Sequence, residues 1–263
     1  MRDNREYKTG GNIDMAKIGF IGMGNMGTAI MRGLLKTYKP EELLFTSAHE
    51  AKMQKITEET GVAHVSTATD CAEQVKYLVL AVKPQVLPTV FKELNIAAGY
   101  AIADLQAGLG DSARIVRSMP NTPAMVGEGM SGVSYDEALF TDEEKDVIDG
   151  FFTSFGKMEK VDEKLMDVVG SASGCSPAYV YMFIEALADG CVKNGLPRQA
   201  AYKMVAQAVL GSAKMVLETG KHPGELKDMV CSPGGTTIEG LAALEENGFR
   251  GAIIKACDAN FEK

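Results

Sequence analysis

The first half of the chain alternates short apolar runs with longer amphipathic stretches. The runs have the length of buried strands, and the stretches between them repeat their apolar residues at helical spacing. The predicted strands cover 18–21, 43–46, 77–82, 115–119, 132–134 and 157–161, and the predicted helices cover 26–37, 49–59, 84–94 and 141–154. Such alternation is typical of parallel βαβ units, so we expect an α/β sheet with helices on its faces. The last of these helices should begin with a capping box formed by Thr141 and Glu144.

After Asp162 the pattern becomes helical throughout, with predicted helices at 163–172, 177–194, 197–219, 223–231, 236–247 and 249–261. The segment 200–217 is apolar around most of its circumference, which requires burial in a bundle or between subunits. We therefore divide the chain into an α/β domain at 15–162 and an all-helical domain at 163–263 that forms a homodimer. A self-contained bundle is the alternative. The polar residues 1–14 are expected to be a disordered or artificial extension with no role in the fold.

One glycine-rich turn connects the first predicted strand to the first predicted helix. Gly22, Gly24 and Gly27 form the pattern G-x-G-x-x-G. The first glycine permits a tight turn, the second lets a pyrophosphate approach the backbone, and the third lets the helix lie close to the sheet. The first amides of the helix then face the phosphates. The strand before this motif and the apolar helix after it favour a dinucleotide site in a Rossmann-type, doubly wound sheet over an ordinary glycine-rich turn.

Composition narrows the possible partners. The chain of 263 residues has 27 basic and 35 acidic side chains, a net charge of −8, which argues against nucleic acid or an anionic membrane as a partner. Its five cysteines are scattered without a C-x-x-C pair, as expected for reduced thiols in the cytoplasm. The histidines do not cluster with cysteines or carboxylates, so we expect no metal site. No apolar run has the length of a membrane span, and residues 1–14 lack the apolar core of a signal peptide.

Two further stretches are expected at the carboxyl edge of the sheet, where open α/β sheets bind their ligands. Ala81, Val82, Lys83 and Pro84 follow an apolar strand, and Lys83 is placed to meet a phosphate or a ribose; a solvated lysine is the alternative. Pro120 and Pro123 flank the dipeptide Asn121-Thr122, and they restrict its backbone strongly. We expect Asn121 to bind the nicotinamide carboxamide or the substrate, unless this loop is only a tight turn.

Two segments of small residues are predicted to open helices in the second domain. Pro177 suits a first helical turn, where residues 173–176 would expose amides and hydroxyls. Cys175 is expected to be a packed thiol and not a nucleophile, since no histidine lies near it in sequence. The other segment, 232–238, reads Ser-Pro-Gly-Gly-Thr-Thr-Ile and forms a second anion site, which suits a substrate carboxylate. The alternative is that Thr236 or Thr237 only caps the helix.

The end of the second predicted strand bears on the choice of cofactor. An NAD-selective site places Asp or Glu there, against the ribose 2′-hydroxyl. This chain has Ser47 instead, with His49 or Lys52 nearby, and these side chains suit a 2′-phosphate. We therefore expect NADP as the cofactor, with NADPH preferred over NADH.

Together these motifs resemble the pyrroline-5-carboxylate reductase family, from about Met15 to the end of the chain. The most specific segments are 81–84, 119–123, 186–190 (Ala-Leu-Ala-Asp-Gly), 222–228 (His-Pro-Gly-Glu-Leu-Lys-Asp) and 232–238. The resemblance implies a Rossmann domain followed by helices that interlock in a homodimer, with dimers often assembling further. It also implies NAD(P)H-dependent reduction of 1-pyrroline-5-carboxylate to L-proline, the last step of proline biosynthesis.

The same resemblance assigns residues to roles. For the cofactor it implies Gly22, Gly24, Asn25, Met26, Ser47 and residues 81–84, and for the substrate it implies Ser232, Gly234, Gly235, Thr236 and Thr237. Thr237 is the hydroxyl that we expect near the ring nitrogen, either as proton donor or as the group that orients a water. The nicotinamide would deliver hydride to the C=N carbon, and the protein would act mainly by positioning the two rings.

Three departures from the family pattern have structural consequences. Cys175 and Ser176 stand where the family has Ser and Gly, and both are small enough to preserve the helix start. Ala68 stands where a cofactor-contacting Asn is common, which puts one contact on the adenosine side in doubt. The segment 94–99 lacks the strand that the family has before Ala-Ala-Gly, so we expect a sheet that is one strand poorer, or a loop omitted from the sequence.

Two other functions share some of these features. The β-hydroxyacid dehydrogenases also combine a glycine-rich first turn with a helical C-terminal domain, but the helix with their catalytic lysine is not found in this chain. A non-catalytic NADP-sensing regulator would need no second anion site, so the segment 232–238 argues against it.

Overall fold

The computed structural model describes residues 16–94, 101–109 and 113–261. The chain divides into two compact units, the first ending at Met166 and the second beginning at Asp167. The expectations for residues 1–14, and for all but the first residue of the shortened segment 94–99, lie outside the described residues.

The first unit contains a parallel sheet of four strands in the order β3-β2-β1-β4. The strands are β1 (Ala16–Ile21), β2 (Leu43–Thr46), β3 (Ala63–His64) and β4 (Val75–Leu80). Ile18 of the central strand β1 pairs with Leu43 on one side and Tyr77 on the other. The three longer strands confirm the prediction. With only two residues, β3 is too short to show a hydrophobic period, so the sequence did not predict it.

Helices follow the strands of this unit. They are α1 (Asn25–Leu34), α2 (Glu50–Thr60), α3 (Ala68–Glu73), α4 (Leu87–Glu93), α5 (Ile102–Leu109) and α6 (Asp142–Thr153). The four predicted helices are confirmed, with ends that differ by up to three residues. α3 and α5 were not predicted, because six and eight residues give few repeats of the 3.6-residue period.

A second sheet joins β5 (Arg117–Met119), β6 (Gly129–Ser134) and β7 (Gly156–Lys160). β6 and β7 are parallel, whereas β5 and β6 are antiparallel. The expectation of parallel pairing throughout is therefore wrong at this point. Only residues 120–128 connect β5 to β6, and a parallel pair needs a crossover of about a dozen residues or more. Within the described residues the strands form two sheets and not a single one.

α1 carries the main hydrophobic core of the first unit. Met31 and Leu34 on its buried face belong to one cluster with Phe20 of β1 and Phe155, the residue before β7. Gly33 brings α1 especially close, since a Cβ at this position would lie 2.7 Å from the Cβ of Phe155. The two sheets therefore share one core. Packing in this core fixes the position of α1, which starts at the glycine-rich turn.

The capping box predicted at the start of α6 is confirmed. The Glu144 amide donates to Thr141 Oγ1 at 3.3 Å, and the Thr141 amide donates to the Glu144 carboxylate at 3.0 Å. Arg114 Nη1 lies 2.7 Å from the same carboxylate. The Thr141 amide and, less strongly, the Arg114 guanidinium hold the pKa of Glu144 below its usual value. These contacts fasten the chain before β5 to the first turn of α6.

The second unit is helical in its described residues. Its helices are α7 (Met166–Val169, which begins on the last residue of the first unit), α8 (Ser176–Lys193), α9 (Arg198–Thr219), α10 (Pro223–Val230), α11 (Thr236–Glu246) and α12 (Phe249–Asp258). α8 and α9 pack around a small core of Ala188, Ala201 and Val205. Large apolar side chains on the same two helices stay exposed, among them Met182 (70%) and Met204 (62%). None of the described helices is both long and apolar enough to cross a membrane.

The helix predicted at 177–194 is confirmed to within one residue as α8, with Pro177 in its first turn, but the open helix end expected before Pro177 is wrong. A π-helical turn, Gly170–Cys175, joins α7 to α8 without a break, and Cys175 has helical dihedral angles of −88° and −34°. Proline has no N–H to continue an α-helical ladder, and here a widened π-helical turn precedes it instead of an exposed helix end. Residues 173–176 are therefore part of a continuous helix and do not present an open helix end.

Candidate functional site

The glycine-rich turn after β1 has the geometry that its sequence predicts. Gly22 has a φ of +98°, and a Cβ at this position would lie 2.5 Å from Val82 Cγ1. The Gly22 amide donates to the Thr46 carbonyl at 2.9 Å, so the turn is tied to the end of β2. A Cβ on Gly27 would overlap the carbonyl oxygen of Gly22. Both glycines are therefore required by the close packing of the turn against α1 and β4.

Gly24, between them, has a different environment. It is the N-cap residue of α1, it makes no side-chain cap, and a Cβ built on it meets no atom within 4 Å. The first turn of α1 contains no acidic residue. Open space in front of uncapped helix amides is what an anionic diphosphate requires. These residues fit a dinucleotide, with Asn25 exposed and Met26 half-buried in the first turn of the helix.

The residues after β4 lie against this turn. The Ala81 amide donates to the Ile21 carbonyl at 2.8 Å, and the Val82 side chain adjoins Gly22. Lys83 is exposed, and its carbonyl accepts a hydrogen bond from Val86 as a 3₁₀ turn begins at Pro84. The structure thus brings Ala81 and Val82 against the glycine-rich turn at the carboxyl edge of the first sheet, where the topology predicts a ligand, and Lys83 and Pro84 follow directly.

Ser47 lies at the same edge, directly after β2. It is half-buried, and its backbone amide donates to Met53 Sδ at 3.1 Å, which holds the loop against α2. His49 is the exposed N-cap residue of α2 and makes no side-chain cap. None of the residues from Ser47 to His49 has a carboxylate side chain.

Asn121 is fastened within its own loop. The residue is 8% exposed, and its Oδ1 accepts a hydrogen bond from the Met130 amide at 2.9 Å. It is also the N-cap residue of the 3₁₀ turn Thr122–Val126, where its backbone carbonyl accepts a hydrogen bond from the Ala124 amide and its side chain makes no cap. The side-chain oxygen therefore serves the loop, which matches the tight-turn alternative. A direct contact between Asn121 and the substrate stays a prediction.

The loop between α10 and α11 forms an open helix start in the second unit. The Gly235 amide donates to the Ser232 carbonyl at 3.0 Å, and Gly234 has a φ of +68°. A Cβ on Gly235 would collide with Ser232 Oγ. Gly235 is the N-cap residue of α11, and no side chain caps this helix. The loop is therefore shaped by its glycines and leaves the first amides of α11 available to an anion.

This geometry excludes one of the two explanations of the threonines in this loop, and their contact with a substrate stays a prediction. Thr236 and Thr237 are the first two residues of α11 itself, and both are exposed. They do not cap the helix, so that alternative is wrong. Their hydroxyls stand beside the open helix start together with Ser232, which is exposed as well.

Two buried features were not visible in the sequence. The Ala68 amide donates to Glu93 Oε1 at 2.7 Å, a contact across 25 residues that fixes the start of α3. The Cys71 thiol lies under β1, and burial raises its pKa to about 11, so it stays protonated and unreactive. Among the described residues, no group of three or more histidine, cysteine and acidic side chains is arranged to hold a metal ion.

Known proteins match both parts of the chain. The family described as "Pyrroline-5-carboxylate reductase dimerisation" matches residues 163–263, and the family described as "NADP oxidoreductase coenzyme F420-dependent" matches residues 17–108. The pyrroline-5-carboxylate reductase of Escherichia coli (strain K12) is 45% identical over 260 residues, which cover 94% of this chain and 96% of the relative.

Solved structures agree with this relationship. A pyrroline-5-carboxylate reductase from Coxiella burnetii has a TM-score of 0.82 at 31% identity, covering 94% of this chain and 96% of the other. A pyrroline carboxylate reductase from Plasmodium falciparum, solved with NADP bound, has a TM-score of 0.80 at 33% identity, covering 93% and 95%. Because similarity in both sequence and structure extends over nearly the whole chain, this protein belongs to the pyrroline-5-carboxylate reductase family.

Proposed function

We propose that this protein reduces 1-pyrroline-5-carboxylate to L-proline with NADPH, in the last step of proline biosynthesis. The observation that carries the proposal is a pair of uncapped glycine-rich helix starts, at α1 in the first unit and at α11 in the second. A reductase of a carboxylated imine needs two anion sites, one for the cofactor diphosphate and one for the substrate carboxylate. Family membership supports the same activity.

The first unit is proposed to bind the cofactor. Gly22, Gly24 and Gly27 let the diphosphate approach the amides of α1, with Asn25 and Met26 beside it. Residues 81–84 and Ser47 line the same edge of the sheet. The bound nicotinamide supplies the hydride for reduction of the C=N bond. The chain contributes the fixed position of the ring and selects NADPH over NADH, since the loop after β2 lacks an acid.

The second unit is proposed to bind the substrate. The amides of Thr236 and Thr237 attract the carboxylate at the positive end of α11, and Ser232, Gly234 and Gly235 shape the loop around it. The Thr237 hydroxyl lies near the ring nitrogen, where it donates a proton or orients the water that does so. A protonated C=N group accepts hydride far better than a neutral one. Delivery of this proton is therefore the chemical role that we assign to Thr237.

The helical region 163–263 is also proposed to form a homodimer, from which larger assemblies of dimers can be built. Exposed apolar side chains on α8 and α9, together with the match to a dimerisation family, support it. The five cysteines are free thiols, which fits a reducing cytoplasm.

Absorbance of NADPH provides the direct test. Purified protein is mixed with NADPH and 1-pyrroline-5-carboxylate, and separately with NADP and β-hydroxyacids. We expect rapid oxidation of NADPH with the imine and no turnover of the hydroxyacids. Activity with the hydroxyacids alone would replace the proposal by a dehydrogenase, and cofactor binding without any turnover would favour a regulator. Comparing kcat/KM for NADPH and NADH tests the preference, which equal values would contradict.

A further inference from the structure

A basic groove lies between α1 and α2 in the first unit. It has a volume of about 330 Å³ and is lined in part by the buried side chains of Ala29 and Ile56. Its charged lining consists of Arg32, Lys52 and Lys55 against Glu59. With three cations and one carboxylate, the groove lining is net positive. The whole chain is net negative, since it has 27 basic and 35 acidic side chains. The groove therefore attracts anions on an otherwise acidic protein.

The three cations differ in their partners. Arg32 Nη2 lies 3.0 Å from Glu59 Oε2, and Lys55 Nζ lies 3.8 Å from Glu59 Oε1. Lys52 makes no ion pair with any residue that the structure describes. Glu59 thus compensates two of the cations, and the ammonium of Lys52 retains an uncompensated charge.

Lys52 also stands at the end of the groove that faces the cofactor site. It is the third residue of α2, and it lines the groove together with Asn25, the first residue of α1. Both helices begin at the carboxyl edge of the sheet, one after the glycine-rich turn and the other shortly after Ser47. Glu50, in the first turn of α2, has its carboxylate 3.4 Å from His64 Nε2 and does not line the groove. His49 does not line the groove either.

We propose that Lys52 is the residue that recognises the 2′-phosphate of NADPH, which makes it the main determinant of cofactor selectivity. This inference rests on the proposed function. A phosphate monoester carries up to two negative charges, whereas the 2′-hydroxyl of NADH carries none, so an uncompensated ammonium distinguishes them. Ser47, directly after β2, does not line the groove and brings no charge. Lys55, one turn further along the groove and paired with Glu59, serves as the matched control.

Calorimetric binding of two adenosine nucleotides tests the inference without catalysis. 2′,5′-ADP carries the distinguishing phosphate and 5′-AMP does not. For Lys52→Gln we expect affinity for 2′,5′-ADP to fall by about tenfold or more, as for loss of a hydrogen bond to a charged group, with affinity for 5′-AMP unchanged. For Lys55→Gln we expect both affinities to stay near those of the wild type. Thermal unfolding of each variant shows whether it is folded.

Several outcomes would overturn the inference. Equal losses for both nucleotides in a folded Lys52→Gln would mean that Lys52 does not read the 2′-phosphate. A loss of 2′,5′-ADP affinity in His49→Gln but not in Lys52→Gln would assign the role to His49. A wild-type protein that reduces 1-pyrroline-5-carboxylate yet binds both nucleotides equally would refute this inference alone. A wild-type protein that prefers 2′,5′-ADP but does not reduce the imine would refute the proposed function alone.

Discussion

Two alanine substitutions in the glycine-rich turn should affect different properties: Gly22→Ala should lower the stability of the fold, and Gly24→Ala should weaken cofactor binding. Gly22 has a φ of +98°, and its new Cβ would lie 2.5 Å from Val82 Cγ1 and 2.9 Å from the Ala81 oxygen. The left-handed backbone costs about 1–2 kcal/mol and the overlap about 1–3 kcal/mol, so Gly22→Ala should lose about 2–5 kcal/mol of stability. For a domain of this size that loss lowers Tm by roughly 4–20 °C.

Gly24→Ala should leave the fold intact and weaken cofactor binding. The φ of Gly24 is −70°, which any residue adopts, and the new Cβ meets no atom within 4 Å. A less flexible unfolded chain offsets the poorer N-cap, so stability should change by less than about 1 kcal/mol. The methyl group instead occupies the space through which the diphosphate reaches the amides of α1. Each amide of α1 that can no longer donate to the diphosphate loses a charge-assisted hydrogen bond. That loss costs about 1.5–3 kcal/mol, or roughly ten- to a hundredfold in the Kd for NADPH.

The assay pairs thermal unfolding of the protein without cofactor with fluorescence titration of NADPH. Wild-type affinity in Gly24→Ala would refute the role assigned to the open space above α1. Wild-type Tm in Gly22→Ala would show that the turn relaxes at little cost, and the packing argument would fail.

Three further predictions concern other parts of the chain. Thr237→Ala should lower kcat/KM for the imine with little change in the Kd for NADPH, while Thr237→Ser restores turnover; an unchanged kcat/KM would remove Thr237 from the substrate site. The pKa of Glu144 is lowered in the fold, so its contribution to stability is present above the usual value of 4.5 and disappears as the pH falls. Glu144→Gln should therefore be less stable than the wild type in urea at neutral pH, and the two curves should converge in acid; a constant difference would contradict this. Met182→Asp should disrupt the proposed dimer, because this apolar side chain is 70% exposed in the single chain. Light scattering that detects a folded, active wild-type monomer at nanomolar concentration would argue against an obligate dimer.

Local signals in the sequence predicted the backbone of both glycine-rich segments. The glycine spacing anticipated the turn at Gly22, and the Ser-Pro-Gly-Gly segment anticipated the open start of α11. In both segments glycine meets a requirement of the backbone itself, a positive φ or a close approach, which depends on few distant residues. The capping box at Thr141 is a local motif of the same kind.

Sequence patterns were less informative where contacts with residues outside the segment determine its structure. Small residues before Pro177 predicted an open helix end, yet a π-helical turn continues from them into α8. The sequence also did not reveal that Asn121 Oδ1 accepts a hydrogen bond from the Met130 amide, and ligand binding by Asn121 stays a prediction. No periodicity within either segment reveals these partners.

The sequence by itself determined the alternation of strands and helices in the first unit, the helical second unit, and the two glycine-rich helix starts. Each follows from residue periodicity or from backbone freedom, which are properties of short segments. Only the tertiary structure decided the antiparallel pairing of β5 with β6, the raised pKa of Cys71 and the position of Lys52 in a groove beside Asn25. Burial, strand pairing and charge compensation arise between residues far apart along the chain, so no local pattern contains them.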